Sequence, residues 1–203
     1  MEINKTVIII NGKAGVGKDT FVNIFSQLLT SYYNKGNGIG FYYKAPSGDI
    51  PVELVTTPVV ENVSSVDGLK MIAATYFNYD DENKTDKDRK FLADLKQLTT
   101  DYCDYSFNYI MDRWVKFVNN PYPKYLFIHV REPKEIERLK TELNAITLQI
   151  TSTRTDIHKV NNNASDRDTD LYDYDFSIVN DGTIEEFEEN IKAFIRVLGN
   201  EDF

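Results

Sequence analysis

Gly12, Lys13, Ala14, Gly15, Val16, Gly17, Lys18, Asp19 and Thr20 carry the sharpest chemical signal in the 203-residue chain. They satisfy G-x-x-x-x-G-K. Glycines let a backbone curl until successive N–H groups point inward at phosphate oxygens, and a lysine at the end of such a curl can reach the β- and γ-phosphates. The chemistry is therefore the holding of a nucleoside triphosphate, provided that a strand precedes the loop and a helix follows it. Asp19 stands where most such loops have the Ser or Thr whose hydroxyl touches Mg²⁺. Two readings of it stay open. Asp19 holds magnesium directly or through water, leaving Thr20 for the α-phosphate, or it is only a favourable acid at a helix start.

The elements that would position the loop are legible on both sides. Residues 6–11 (TVIIIN) form a β-branched run ending at glycine, the pattern of a strand buried on both faces. Phe21, Val22, Phe25, Leu28, Leu29 and Tyr32 then recur at helical spacing until Asn34 and Gly36. Residues 36–58 are irregular, with several glycines and prolines, and read as an inserted hairpin or loop. Val59 to Val63 reads as a second strand, followed by a short helix through Leu69, Ile72, Ala73 and Tyr76. The charged stretch NYDDENKTDKD (78–88) reads as a solvated turn. Beyond it Phe91, Leu92, Leu95, Leu98 and Tyr102 give one helix, and Ile110, Met111, Trp114 and Val118 another.

The second half continues the alternation. Tyr125 to Val130 is the third strand, and Pro133 sits where a first-turn proline opens a helix, with Ile136, Leu139 and Leu143 inward. Ile146 to Ile150 is the fourth strand. Residues 152–172 are polar and lack hydrophobic periodicity, as a lid would. Phe176 to Val179 is the fifth strand, and Thr183 with Glu186 forms a capping box for a last helix burying Phe187, Ile191, Phe194 and Leu198. Strands alternating with helices predict an α/β parallel sheet in a single domain spanning 1–203.

Composition narrows the partners. With 23 basic and 32 acidic residues the formal charge is −9, which opposes binding to nucleic acid or to an anionic membrane surface. Any phosphate must be held by a local cluster of cations. A single cysteine, Cys103, and two histidines, His129 and His158, exclude a disulfide framework and argue against a cysteine or histidine metal cage. Neither Cys103 nor His158 is assigned chemistry. The N-terminal residues are unlike a secretion signal, no long apolar run occurs, and a cytoplasmic location is expected.

The glycine loop GKAGVGKDT, the segment VDGLK (66–70), the segment DRKFLADL (88–95) and the segment FSIVNDGTIEEF (176–187) together resemble the nucleoside monophosphate kinase group of phosphate-loop kinases. The likeness is closest to phage-type deoxynucleoside monophosphate kinases and to animal-type phosphomevalonate kinases, which share the GKD variant. It covers most of the chain in order, apart from residues 36–58. The resemblance implies a P-loop NTPase three-layer fold, with a five-stranded parallel sheet in order 2-3-1-4-5, helices on both faces and a short lid at 152–172.

What the resemblance carries to single residues is specific. Asp67 and Lys70 would open the acceptor-binding helix, and Arg89 with Lys90 would face the acceptor phosphate. Arg131 matches the arginine of the group's Asp-Thr-Arg segment, and it falls at a strand's C-terminal end, where parallel sheets place ligands. His129 and Val130 precede it, so the group's acid is missing and Asp19 or Glu132 is left to place magnesium. Arg154 and Arg167, the two arginines of the lid, would close over the migrating phosphoryl group beside Lys18 and Arg131. Asn180 and Gly182 would lie near the adenine base, although Asn180 to Thr183 is also an ordinary turn with a helix cap. The implied activity is ATP- and Mg²⁺-dependent transfer of the γ-phosphate to a (deoxy)nucleoside monophosphate, by a monomer or homodimer. A kinase of phosphomevalonate or dephospho-coenzyme A, or a nucleotide-binding switch without acceptor chemistry, are the alternatives.

Overall fold

The computed structural model describes residues 5–32, 59–154 and 171–199. The insert at 36–58 and most of the lid, with Arg167 and His158, lie outside the described residues.

Strand β1 (Thr6–Asn11) shows why the sheet is covered on both faces. Ile8 and Ile10 point into one core with Phe21, Phe25, Phe127, Phe187 and Phe194, whereas Val7 and Ile9 point into another with Phe107, Phe117 and Ile136. Successive residues of a strand face opposite sides, so a continuous apolar run demands two covering layers. Strand β3 (Tyr125–His129) alternates the same way: Tyr125 and Phe127 on one side, Leu126 and Ile128 on the other.

Strands β2 (Val60–Ser64), β4 (Ile146–Thr151) and β5 (Phe176–Val179) complete a sheet in the order β2-β3-β1-β4-β5, with every pairing parallel. This is the expected order. Helices α1 (Lys18–Tyr32) and α6 (Ile184–Val197) supply one layer through Phe21, Phe25, Leu29, Phe187, Ile191 and Phe194. Helices α4 (Tyr105–Asn119) and α5 (Pro133–Leu143) supply the other. Phe21 is the hub of the first core, its ring centroid 5.9–6.1 Å from those of Phe25, Phe127, Phe187 and Phe194.

Helices α2 (Asp67–Phe77) and α3 (Asp86–Cys103) stand apart from this sandwich. The apolar stripe of α3 marks the helix correctly, yet none of its residues is buried: Leu98 is 67% and Tyr102 87% exposed. The stripe has no second layer to enter, because α3 packs chiefly on α4 and α2. Strand limits shift by one residue from the sequence pattern, since ladder bonding ends β3 at His129 and carries β4 to Thr151.

Because all five strands run the same way, their C-terminal ends share one edge. His129 stands level with Ile10 on one side and Ser64 on the other. Asn11 to Lys18 and the start of α2 leave from that edge.

Candidate active site

The glycine loop curls as its composition requires. Gly12, Gly15 and Gly17 have φ of 146°, 80° and 99°, a region that side-chain-bearing residues rarely enter. At Gly12 the backbone also passes so close to β4 that an added Cβ would sit 2.2 Å from the Ile150 carbonyl oxygen. Lys18 Nζ folds back over the curl, donating to the carbonyls of Gly12 at 2.6 Å and Lys13 at 2.8 Å. Asn11, wholly buried, secures the entry: its Oδ1 accepts from Gly12 N at 2.7 Å and its Nδ2 donates to the Tyr174 hydroxyl at 2.6 Å. A backbone cradle that a single Cβ would fill, with an ammonium at its mouth and a helix N-terminus behind it, fits the phosphates of a nucleotide.

The turn after β5 ties three parts of the site together. Asn180 Nδ2 donates to the Val16 carbonyl at 2.9 Å, gripping the loop from the side, and a Cβ on Gly17 would strike that amide at 2.5 Å. Asp181 takes the Ser152 hydroxyl at 2.8 Å, the Thr153 amide at 2.6 Å and the Thr153 hydroxyl at 2.7 Å, which anchors the residues leading into the lid. Arg154 donates to the Gly182 carbonyl. Thr183 and Glu186 form the expected capping box. Asn180 thus adjoins the phosphate loop, Gly182 instead meets Arg154 and Glu186, and Asp181 is a positioning residue that the sequence pattern did not single out. The broad hollow beside this turn, lined by Glu185, Glu186 and Glu189, is too acidic to hold phosphates itself.

On the other side of the loop, His129 ends β3 between Ile10 of β1 and Ser64 of β2. Burial pushes its imidazole down to about 4, with Asp19 and Asp67 pulling it up and Lys18 and Lys70 pushing it further down. One side chain therefore feels both the phosphate-loop lysine and the lysine of α2. His129 is neutral at pH 7, and its Nε2 lies 2.8 Å from Asn62 Oδ1.

Lys70 reaches Asp81 at 3.3 Å and Asp67 at 3.7 Å, while Asp67 also accepts from Ser64 N at 2.7 Å and so starts α2. Arg89 lies within electrostatic reach of the buried Tyr79 and 3.9 Å from Asp86. Lys70 and Arg89 thus both bear on the bonded pair of Tyr79 and Asp81, Lys70 by an ion pair and Arg89 at longer electrostatic range. Lys90 does not: it is 75% exposed and paired with Asp94 at 2.6 Å on the outer face of α3. Arg131 follows β3, and its carbonyl accepts from Asn11 Nδ2 at 3.3 Å.

Glu132 is bonded elsewhere. Lys96, from α3, donates to Glu132 at 2.6 Å and to Glu135 at 2.8 Å, joining α3 to the start of α5. Burial alone would lower the Lys96 ammonium, but the charges of Glu135 and Glu132 raise it. Of the two acids left by the sequence to place magnesium, Glu132 is engaged and Asp19, exposed on the first turn of α1, is the better placed. Among the described residues no three His, Cys, Asp or Glu side chains gather as a ready metal cage. A magnesium ion would be held here by Asp19 and the nucleotide's own phosphate oxygens, with water completing its octahedron.

No family model matches the sequence, and no curated protein matches it. Among solved structures, the chain is similar to the APS kinase of Mycobacterium tuberculosis in complex with AMPPNP and APS, at 10% identity over 97% of this chain and 99% of that one, with a TM-score of 0.39. It is also similar to the dephospho-CoA kinase of Campylobacter jejuni, at 14% identity over 98% of this chain and 100% of that one, with a TM-score of 0.45.

Proposed function

We propose that the chain is a kinase that moves the γ-phosphate of ATP to a small phosphorylated acceptor, and that this acceptor is a (deoxy)nucleoside monophosphate. The observation that carries the reading is the second group of cations. Lys70, at the start of α2, reaches Asp81, and Arg89 lies within electrostatic reach of Tyr79, whose hydroxyl donates to that same Asp81. In a chain of net charge −9, cations so placed are useful for holding a second anion next to the first.

Phosphoryl transfer asks a protein mainly for alignment and charge neutralisation, without a covalent intermediate. The glycine loop N–H groups hold the nucleotide phosphates, and Lys18 exchanges its bonds to the Gly12 and Lys13 carbonyls for β- and γ-phosphate oxygens. Arg131 steadies the migrating group from the end of β3. Arg154 leaves the Gly182 carbonyl to join it, with Arg167 from the same lid. Bound magnesium would neutralise charge on the β- and γ-oxygens, with Asp19 as its protein ligand. Asp67 sets the first turn of α2 and so the direction of Lys70.

A coupled assay of ADP formation with ATP, Mg²⁺ and a panel of nucleoside monophosphates tests the proposal. Turnover that depends on one or a few of them is expected. ATP binding with turnover only on phosphomevalonate or dephospho-coenzyme A, or with no acceptor at all, would overturn the assignment.

A further inference from the structure

The stretch between α2 and α3 is charged throughout, yet Tyr79 within it is only 7% exposed and the loop closes around one carboxylate. The Tyr79 hydroxyl donates to Asp81 Oδ1 at 3.0 Å. Lys84 Nζ lies 2.8 Å from the same oxygen, and Lys70 Nζ lies 3.3 Å from Oδ2. Asp80 shapes the turn that makes this possible, accepting from Glu82 N and Asn83 Nδ2, each at 2.8 Å, so that the chain reverses and returns Lys84 to Asp81. The loop thus brings the Lys84 ammonium and the Tyr79 hydroxyl to the same anion that Lys70 reaches from α2.

Asp81 is bound as a ligand would be. Its partial burial favours the protonated form, but the hydrogen bonds from Lys84 and Tyr79, with the charges of Lys70 and Lys84, hold its carboxyl below the usual carboxylate range. Its side chain is 45% exposed, so it can swing into water without stranding a charge. A phosphate monoester offers the same donors similar oxygens with up to twice the charge.

We propose that Tyr79 and Lys84 belong with Lys70 to the acceptor's phosphate site, and that Asp81 is an internal stand-in which the acceptor phosphate displaces. This rests on the reading of Lys70 as an acceptor contact. It goes beyond that reading in assigning two more binding residues and a charge threshold. A dianion displaces Asp81, whereas an acceptor without a phosphate leaves it in place, so the loop selects phosphorylated acceptors over the corresponding nucleosides.

The test is Asp81→Asn, with Tyr79→Phe and Lys84→Met beside it, each checked for an unchanged thermal unfolding midpoint. Inorganic phosphate is the first probe, read as protection of Lys70 and Lys84 from amine acetylation by mass spectrometry, which requires no catalysis. Asp81→Asn should reach half-protection at about fivefold lower phosphate, the factor that corresponds to losing a competing half-exposed ion pair. With the acceptor found in the panel, its KM should fall by about the same factor while the KM for ATP stays put, and Tyr79→Phe and Lys84→Met should raise the acceptor KM alone. Weaker protection and a higher acceptor KM in Asp81→Asn would make Asp81 a holder of Lys70 and overturn the stand-in. Absence of phosphate protection in both proteins would also overturn it. Tighter phosphate binding in Asp81→Asn without turnover on any acceptor would uphold the anion site and defeat the kinase assignment. Turnover that is indifferent to all three substitutions would do the reverse.

Discussion

Alanine at Gly12 should damage both the fold and the nucleotide site, by an amount that the local geometry sets. The new Cβ would lie 2.2 Å from the Ile150 carbonyl oxygen and 2.9 Å from Val16 Cγ2, where ordinary contact begins at 3.4 Å. The gap must therefore open by more than 1 Å. Ile150 lies on β4, held between β1 and β5, so it cannot withdraw without stretching a ladder on either side. Forcing a side-chain-bearing residue to positive φ costs about 1–2 kcal/mol, and overfilling a packed site costs about 1–3 kcal/mol more. A total of about 2–5 kcal/mol lowers the unfolding midpoint of a chain this size by about 5–20 °C. Gly199→Ala separates the two contributions, since Gly199 has φ of 90° but no atom within 4 Å of its missing Cβ. That variant should lose only about 1 kcal/mol. Calorimetry of both variants gives the stability, and titration with ATP gives the second readout, in which only Gly12→Ala should be impaired. Unfolding of Gly12→Ala within about 2 °C of the parent, or an equal loss in both variants, would refute the reasoning.

Lys18→Ala should lower phosphoryl transfer by at least about a hundredfold, as for other deleted charge-stabilising donors, with a nearly unchanged unfolding midpoint by circular dichroism. Lys96→Met should cost about 2–3 kcal/mol at pH 7 in urea unfolding, because it strands two carboxylates that share one cation. That loss should shrink toward pH 5, since burial and the neighbouring Glu132 raise the Glu135 carboxyl and let it take up a proton. Asp175 is held below the ordinary carboxylate range despite partial burial, by hydrogen bonds from Lys140 and Thr147. Its stabilising effect is present above the unfolded value, near 3.8, and disappears as pH falls through the lower, folded one, so the stability gap between the parent and Asp175→Asn should narrow steadily as the pH is taken below the ordinary carboxylate range.

The strands were legible because a sheet covered on both faces leaves uninterrupted apolar runs such as TVIIIN and YLFIH. The phosphate loop was legible because its glycines are conformationally obligatory. Helix α3 was legible as a helix and misleading as to burial, since periodicity reports a stripe and says nothing about what covers it. Helix α4 shows the same limit: Ile110 of the expected stripe is fully buried, but so is Phe117, which the stripe left out, whereas Val118 is exposed. Residues whose charge is half-buried had no pattern to betray them. Lys96 reads as one more surface lysine, and Lys5 likewise, although its Nζ donates to the carbonyls of Phe117, Asn120 and Pro123 at the end of α4. Tyr79 was the missed signal in the loop between α2 and α3. A lone aromatic inside a run of Asp, Glu and Lys has little reason to be there unless it is buried.

The most direct test of a donor site at the glycine loop and an acceptor site at Lys70 and Arg89 is an initial-rate matrix for Arg89→Ala, with ATP and the acceptor varied independently. The acceptor kcat/KM should fall by about 2–4 kcal/mol, roughly 30- to 1000-fold, while the KM for ATP moves less than about fivefold. Loss of ATP with retention of acceptor use would contradict the two-site reading.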